Sequence, residues 1–184
     1  MAALKRATSY LHILTMKIID GNILDVTKGV IVSMVNCQNA MGRGLAKSIY
    51  EKWPAVKSEY HAFCLGSAAL KTTPLGLCHS VEVEPGLFVC NVFGQEFYGP
   101  GDKCYVSYEA VESGFKILSD VISFARDIRE QGPVYFPYLF GCGLAGGDWK
   151  VMSELIEKYF PDAIIVRLAP EKAAKIDAVW LKQK

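Results

Sequence analysis

The residues best suited to chemistry lie between positions 135 and 149, where four glycines separate an apolar run from a segment of helical character. Glycine can adopt positive φ angles and lets a ligand approach the backbone closely. A helix that begins directly after such residues adds unpaired N–H groups and the positive end of its dipole. The part from residue 141 to 147, called the glycine loop below, is therefore predicted to bind an anion, most often a phosphate.

A second polar, glycine-containing segment, the asparagine turn (residues 36–44), follows a short run of β-branched residues at 29–35. The glycine loop likewise follows an apolar, strand-like run. Ligands of open α/β sheets bind at the carboxyl ends of the strands. We therefore expect the two segments to contribute to one site.

The overall composition is that of an ordinary soluble globular protein. The chain has 184 residues, of which 51% are hydrophobic and 21% charged, and its net charge is +1. This length fits one domain, and the near-neutral charge argues against a broad nucleic-acid-binding surface. No apolar run reaches the ~18 residues of a membrane span. We expect a monomer.

The cysteines and histidines do not form a recognisable metal or disulfide pattern. The six cysteines have neither CxxC spacing nor the density of a secreted scaffold, and the three histidines are widely separated. We expect reduced thiols in a cytoplasmic protein, no metal and no cofactor, and no Ser-His or Cys-His nucleophile system.

Strand-like and helix-like segments alternate along the chain, which predicts a mixed, largely parallel sheet covered on both faces. We expect an N-terminal extension at 1–15, one domain at 16–170 and a C-terminal helix within 171–184 that packs on the same domain. The predicted strands lie at 11–19, 29–35, 76–83, 86–93, 134–136 and 163–168, and the predicted helices at 45–53, 55–65, 105–130, 150–160 and 171–182.

Three motifs, taken together, resemble the macrodomain family. They are Gly-Asn-Ile-Leu at 21–24, Asn-Cys-Gln-Asn-Ala-Met-Gly-Arg-Gly-Leu-Ala at 36–46, and Gly-Cys-Gly-Leu-Ala-Gly-Gly-Asp-Trp at 141–149. Their order and their strand–turn–helix context match over about 150 residues. The resemblance implies an α/β fold, a macrodomain-like three-layer α/β/α sandwich, with ADP-ribose or ADP-ribose 1''-phosphate as ligand. The chain is most similar to the branch containing the ADP-ribose 1''-phosphate phosphatase, the terminal ADP-ribose protein glycohydrolase and phage relatives.

The resemblance also implies a role for each motif residue. Asn22, with Ile23 beside it, would accept a hydrogen bond from the adenine amino group. Asn36 and Asn39 would face the distal ribose. The residues expected to form one wall of the site are Gly42, Arg43 and Gly44, and those expected to surround the diphosphate and distal ribose are Phe140, Gly141, Cys142, Gly143, Leu144, Ala145 and Gly146.

Catalysis is where this chain departs from the family pattern. The glycohydrolase relatives use a Lys and an Asp, but the matching positions here hold Gly94-Gln95 and Ala145. Asp148, with Asn39, remains as a candidate to activate water for phosphate-ester hydrolysis. The simpler alternative for Asp148 is an N-cap of the following helix.

The cysteine and the asparagines of these motifs also have structural alternatives to a role in ligand binding or catalysis. Cys142 is a possible nucleophile or a small residue that fills a tight turn. Asn36 and Asn39 have the alternative role of turn formers that hydrogen-bond their own backbone, but two asparagines beside a Gly-x-Gly turn favour the ligand role. The functions left open are an ADP-ribose 1''-phosphate phosphatase-like hydrolase, a non-catalytic ADP-ribose-binding or nucleotide-binding module, and a de-ADP-ribosylating glycohydrolase with an atypical site.

Overall fold

A six-stranded sheet forms the centre of the part of the chain that the structure describes, residues 16–99, 103–124 and 132–168. The structure is a computed structural model. The strands are β1 (Lys17–Asp20), β2 (Gly29–Asn36), β3 (Cys78–Glu84), β4 (Leu87–Gln95), β5 (Val134–Pro137) and β6 (Ile164–Arg167). Their spatial order is β1-β6-β5-β2-β4-β3, and all neighbours are parallel except the antiparallel pair β3–β4. The predicted mixed, largely parallel sheet is confirmed.

Strand β2 is buried on both faces because apolar, mostly β-branched residues occupy successive positions. Val30 and Val32 pack into the core on one face of the sheet, and Ile31 and Val35 pack into the core on the other. A strand covered on both sides loses the alternation of polar and apolar residues and becomes a continuous apolar run. This explains why the run at 29–35 is apolar throughout except for Ser33.

Helices cover both faces of the sheet. One face is covered by α1 (Gly44–Lys52) and α2 (Pro54–Ala69), and the other by α3 (Tyr108–Phe124) and α4 (Trp149–Tyr159). Pro54 opens α2 at a position where its missing N–H removes no helical hydrogen bond. The result is the expected three-layer α/β/α sandwich. Within the described ranges, no helix has the length and apolar character needed to cross a membrane.

Several element boundaries differ from the predictions. Helix α3 begins at Tyr108 rather than at 105, because the Tyr105 N–H donates to the Ala145 carbonyl at 2.8 Å and Val106 forms a β-bridge with Gln95. Helix α2 continues through the exposed Gly66 to Ala69, beyond the predicted end at 65. The extension 1–15, the predicted helix end 125–130 and the predicted helix 171–182 lie outside the described residues.

The pairing between β2 and β5 is short. These strands pair at only two positions, Val30 with Val134 and Ile31 with Tyr135, whereas β2 pairs with β4 along its whole length. After β2 the chain enters α1 and α2 on one face, and after β5 it enters α4 on the other face. Such a reversal of connections is the topological switch point at which α/β sheets bind ligands. We call the gap between the carboxyl ends of β2 and β5 the crevice.

Candidate functional site

The glycine loop connects β5 to α4 at the edge of the crevice. Gly141 and Gly146 have φ angles of +73° and +70°, which side chains rarely tolerate. A Cβ atom on Gly146 would also lie 2.6 Å from the Lys103 carbonyl oxygen. Inside the loop, the Gly147 N–H donates to the Gly141 carbonyl at 3.0 Å. The sequence therefore needs glycine here for the backbone conformation itself.

Three consecutive backbone amides of the glycine loop are available to a ligand. Within the described residues, the N–H groups of Gly143, Leu144 and Ala145 donate to no acceptor. Gly143 is exposed, and a Cβ atom built on it would meet nothing within 4 Å. Successive N–H groups in a glycine-rich turn form a concave anion-binding nest. The structure thus supplies the donors that the sequence predicts.

The asparagine turn lies on the other side of the crevice and is organised by Asn36. This residue is 7% exposed. Its Nδ2 donates to the Ala40 carbonyl at 2.6 Å, and its Oδ1 accepts from the Gln38 N–H at 3.0 Å. The buried Tyr60 hydroxyl donates to the Asn36 carbonyl at 2.8 Å. The Asn36 side chain therefore shapes the turn, and the turn-forming alternative describes it better than contact with a ribose.

Asn39 occupies a different environment from Asn36. It has a φ angle of +58° and is half-buried. Its Oδ1 contacts His61 Nδ1 of helix α2. The sequence indicates no role for His61, because it and Asn39 lie in separate segments that no local spacing links.

The two segments approach each other at the start of α1. Gly44 has a φ angle of +60°, and a Cβ atom built on it would lie 3.7 Å from the Leu144 side chain. Gly42 is exposed and has open space at its Cβ position, and the exposed Arg43 precedes α1 without a side-chain capping bond. Of the three residues predicted as a wall of the site, Gly44 therefore lies beside the glycine loop.

Asn22 lies at the edge of the sheet, directly after β1. Its Oδ1 accepts from the Leu24 N–H at 3.1 Å and caps the 3-10 helix Ile23–Asp25. The side chain also borders a groove of about 460 Å³ that runs toward the amino end of β5, away from the glycine loop. The Ile23 side chain is 5% exposed and packs in the core, and the predicted part of this residue in ligand binding stays a prediction.

Asp148 is an N-cap in the structure. Its carboxylate accepts from the Lys150 N–H at 2.7 Å at the start of α4. Its own N–H donates to the Tyr108 hydroxyl at 2.9 Å, which ties the end of the glycine loop to α3. The side chain is exposed. Asp148 therefore caps helix α4, as the simpler alternative predicts. Its carboxylate is also exposed to solvent.

The Cys142 thiol is poorly suited to act as a nucleophile. Burial raises its pKa to about 11, and the nearby Asp148 carboxylate adds to this effect. Its Sγ donates to the Phe140 carbonyl at 3.2 Å. Because the thiolate is the reactive species, a neutral thiol of this kind is inert at neutral pH. Cys142 therefore fills the turn.

Phe140 lies in the core and does not line the crevice, which corrects the expected contact of its ring with the ribose. It is 2% exposed, and its ring packs edge-on against Phe136 at a centroid distance of 5.4 Å. Exposed rings at this edge of the sheet belong to Tyr138, directly after β5, and to Phe97 and Tyr98, shortly after β4. Tyr138 packs edge-on against Trp149 at 5.2 Å.

The positions at which the predicted resemblance to the glycohydrolase branch would place catalytic groups are buried or tightly packed. Ala145 is 5% exposed and Gln95 is 9% exposed at the end of β4. A Cβ atom on Gly94 would lie 2.7 Å from the Met34 sulfur, so this position also packs tightly. In the described part of the chain, no three His, Cys, Asp or Glu side chains are grouped to hold a metal ion.

Comparison with known proteins shows likeness of fold without close likeness of sequence. No protein-family model matches the chain, and a comparison with curated proteins finds no match. A macrodomain protein from Streptomyces coelicolor is 24% identical, with a TM-score of 0.67 over 84% of this chain and 99% of that one. The macrodomain of Mycobacterium tuberculosis DarG is 18% identical, with a TM-score of 0.64 over 84% of this chain and 97% of that one.

A third solved structure, Thermosipho africanus DarTG in complex with ADP-ribose, is 17% identical, with a TM-score of 0.64 over 86% of this chain and 43% of that one. The macrodomain fold expected from the sequence motifs is therefore confirmed. The narrower assignment to the phosphatase and glycohydrolase branch stays a prediction.

Proposed function

We propose that this chain is a macrodomain that binds ADP-ribose in the crevice, with the diphosphate on the amides of the glycine loop. The observation that carries the proposal is the set of three consecutive unpaired N–H groups, from Gly143 to Ala145, beside open space. The structural likeness to a DarTG protein solved in complex with ADP-ribose supports the same ligand.

Electrostatics favour backbone donors over cationic side chains for this ligand. The chain carries a net charge of only +1. The amino end of α4 attracts anions through the helix dipole, but the Asp148 carboxylate already occupies that end as its N-cap. A diphosphate is therefore better accommodated at the Gly143 and Leu144 amides, several residues before the helix begins at Trp149. Oriented amides hold an anion there without a lysine.

The remaining contacts follow from the placement of the two asparagines. Asn39 would meet the distal ribose from the asparagine turn. Asn22 would meet the adenine, because its Oδ1 has a second lone pair beyond the one used by the Leu24 N–H. Tyr138 and Phe97 are candidates for stacking on the ligand in place of Phe140, since both rings are exposed at the same edge.

Hydrolysis of ADP-ribose 1''-phosphate is the second candidate function. It is favoured by the exposed Asp148 carboxylate at the end of the glycine loop, where the amides would stabilise charge on the phosphoryl oxygens. A lysine-based glycohydrolase mechanism is not supported, since Gln95 and Ala145 stand at the positions of the catalytic Lys and Asp. An ADP-ribose-binding module without catalysis remains the alternative.

The proposal is tested by isothermal titration with ADP-ribose, using Gly143→Ala and Gly66→Ala as a matched pair. Both glycines have open space at the Cβ position and no positive φ angle, so neither substitution strains the fold. We expect Gly143→Ala to weaken binding about tenfold or more, since a methyl group there pushes the anion off charge-assisted hydrogen bonds. Gly66→Ala, in α2, should bind like the unaltered chain. Equal affinities for the two variants, or no binding at all, would overturn the proposal.

A further inference from the structure

We propose that His61 is a positioning residue that fixes the orientation of the Asn39 carboxamide and so determines which ligand atom Asn39 can recognise. The proposal rests on the proposed function, because it assigns a role within the same ADP-ribose site. It begins from the contact between His61 Nδ1, on helix α2, and Asn39 Oδ1, in the asparagine turn.

The proposal assigns one donor and one acceptor to this contact. An amide oxygen only accepts hydrogen bonds, so in the proposed arrangement His61 Nδ1 donates to Asn39 Oδ1. The Asn39 Nδ2 group is then directed away from His61 with two N–H donors. Within the described residues, Nδ2 has no hydrogen-bond partner. A carboxamide can turn either its oxygen or its nitrogen toward a ligand. His61 thereby fixes the orientation in which the Asn39 Nδ2 group, a hydrogen-bond donor, faces the ligand.

Helix α2 provides a rigid base for this contact. Tyr60, adjacent to His61, is fully buried, and its hydroxyl donates to the Asn36 carbonyl at 2.8 Å and lies 3.1 Å from the Asn36 Oδ1. The rings of Tyr60 and His61 lie 5.6 Å apart. Two consecutive helix residues therefore hold the first and fourth residues of the asparagine turn. The left-handed backbone of Asn39, with φ of +58°, is supported from the same side.

The orientation of Asn39 has a chemical consequence for specificity. A pure donor recognises an acceptor atom, such as a ribose hydroxyl oxygen or a phosphoryl oxygen, and rejects a group that can only donate. Without His61 the carboxamide can rotate by 180° and present its oxygen instead. We expect loss of this control to weaken ADP-ribose binding by roughly three- to tenfold, the effect of one hydrogen bond.

Three substitutions at His61 test the proposal by titration with ADP-ribose. His61→Leu removes the donor. His61→Asn places an amide nitrogen near the position of Nδ1, and His61→Gln places it near that of Nε2. We expect Asn to restore binding to within about twofold of the unaltered chain, while Leu and Gln both show the three- to tenfold loss. A merely space-filling role would not separate Asn from Gln in this order.

Asn39→Ala completes the test as a double-mutant cycle. In the Asn39→Ala background, His61→Leu should have no further effect on affinity, because His61 acts only through Asn39. Thermal unfolding of each variant serves as a folding control, and Glu59→Leu, an exposed change on the same helix, serves as the matched control. If the unaltered chain binds and all His61 variants bind equally, or if the effects of His61→Leu and Asn39→Ala add, the inference is overturned while the proposed function stands. Failure of the unaltered chain to bind overturns both.

Discussion

Replacement of Asp148 separates a structural role from a chemical one. The carboxylate accepts the Lys150 N–H at 2.7 Å and caps α4. Loss of an N-cap costs about 1 kcal/mol, and loss of a negative charge at a helix amino end costs about 0.3–1 kcal/mol. Because Asp148 is exposed, we expect the lower part of the combined range, about 1.3–1.5 kcal/mol, for Asp148→Ala. In a chain of this size that corresponds to a decrease in Tm of roughly 3–6 °C.

The variant Asp148→Ser distinguishes the capping role of Asp148 from a role in catalysis. Serine caps helices about as well as aspartate but cannot act as a general base. Thermal unfolding should therefore show most of the lost stability restored in Asp148→Ser. In parallel, phosphate release from ADP-ribose 1''-phosphate is measured for both variants. If Asp148 activates water, both should be slowed by about a hundredfold or more. An unchanged Tm for Asp148→Ala would refute the capping argument, and unchanged phosphate release in both variants would remove Asp148 from catalysis.

Three further predictions concern buried polar groups. Burial lowers the pKa of the half-buried His79, so the unfolded chain binds a proton more readily and the free energy of unfolding should fall as the pH drops below about 6.5. In urea unfolding, the decrease in this free energy between pH 7.5 and pH 5.5 should be smaller for His79→Leu than for the unaltered chain. Burial raises the pKa of Cys142 to about 11, so at pH 7.5 it should react with iodoacetamide roughly a hundredfold more slowly than an ordinary thiol. Peptide mass spectrometry measures this rate, and rapid modification would show that the thiol is not buried. Neither polar side-chain atom of the buried Asn91 has a partner among the described residues, so Asn91→Leu should stabilise the fold by about 1–3 kcal/mol in urea unfolding, whereas a destabilised variant would argue against an unsatisfied side chain.

The sequence predicts the fold well wherever local rules determine the structure. The β-branched run at 29–35 became β2 because a strand buried on both faces needs apolar residues at successive positions. Pro54 marked the boundary between α1 and α2, since proline is accepted only in the first turn of a helix. The glycine loop and the asparagine turn were predictable for a related reason. Glycine at a positive φ angle leaves a recognisable sequence pattern.

The parts of the site that could not be predicted depend on contacts between distant segments. Nothing in the local sequence indicates that Tyr60 and His61 meet the asparagine turn, since this depends on how α2 packs on the sheet. Phe140 follows a strand but lies in an irregular turn, where side-chain direction has no periodicity. Its burial in the core could not be read from spacing. Asn36 has the residue type of a ligand contact, yet its side chain forms hydrogen bonds with Gln38 and Ala40 of its own turn.

The two-residue pairing between β2 and β5 has a consequence for the order of folding. Strands β3 and β4 form a hairpin across the short turn after Glu84, so their pairing needs only local chain closure. The pair Val30–Val134, by contrast, must close a loop that contains α1, α2, the hairpin and α3. Long-range contacts of this kind carry the larger entropic cost and form late. We therefore expect the crevice to form only when β5 joins β2, so that ligand binding would report completion of the whole fold rather than of either half.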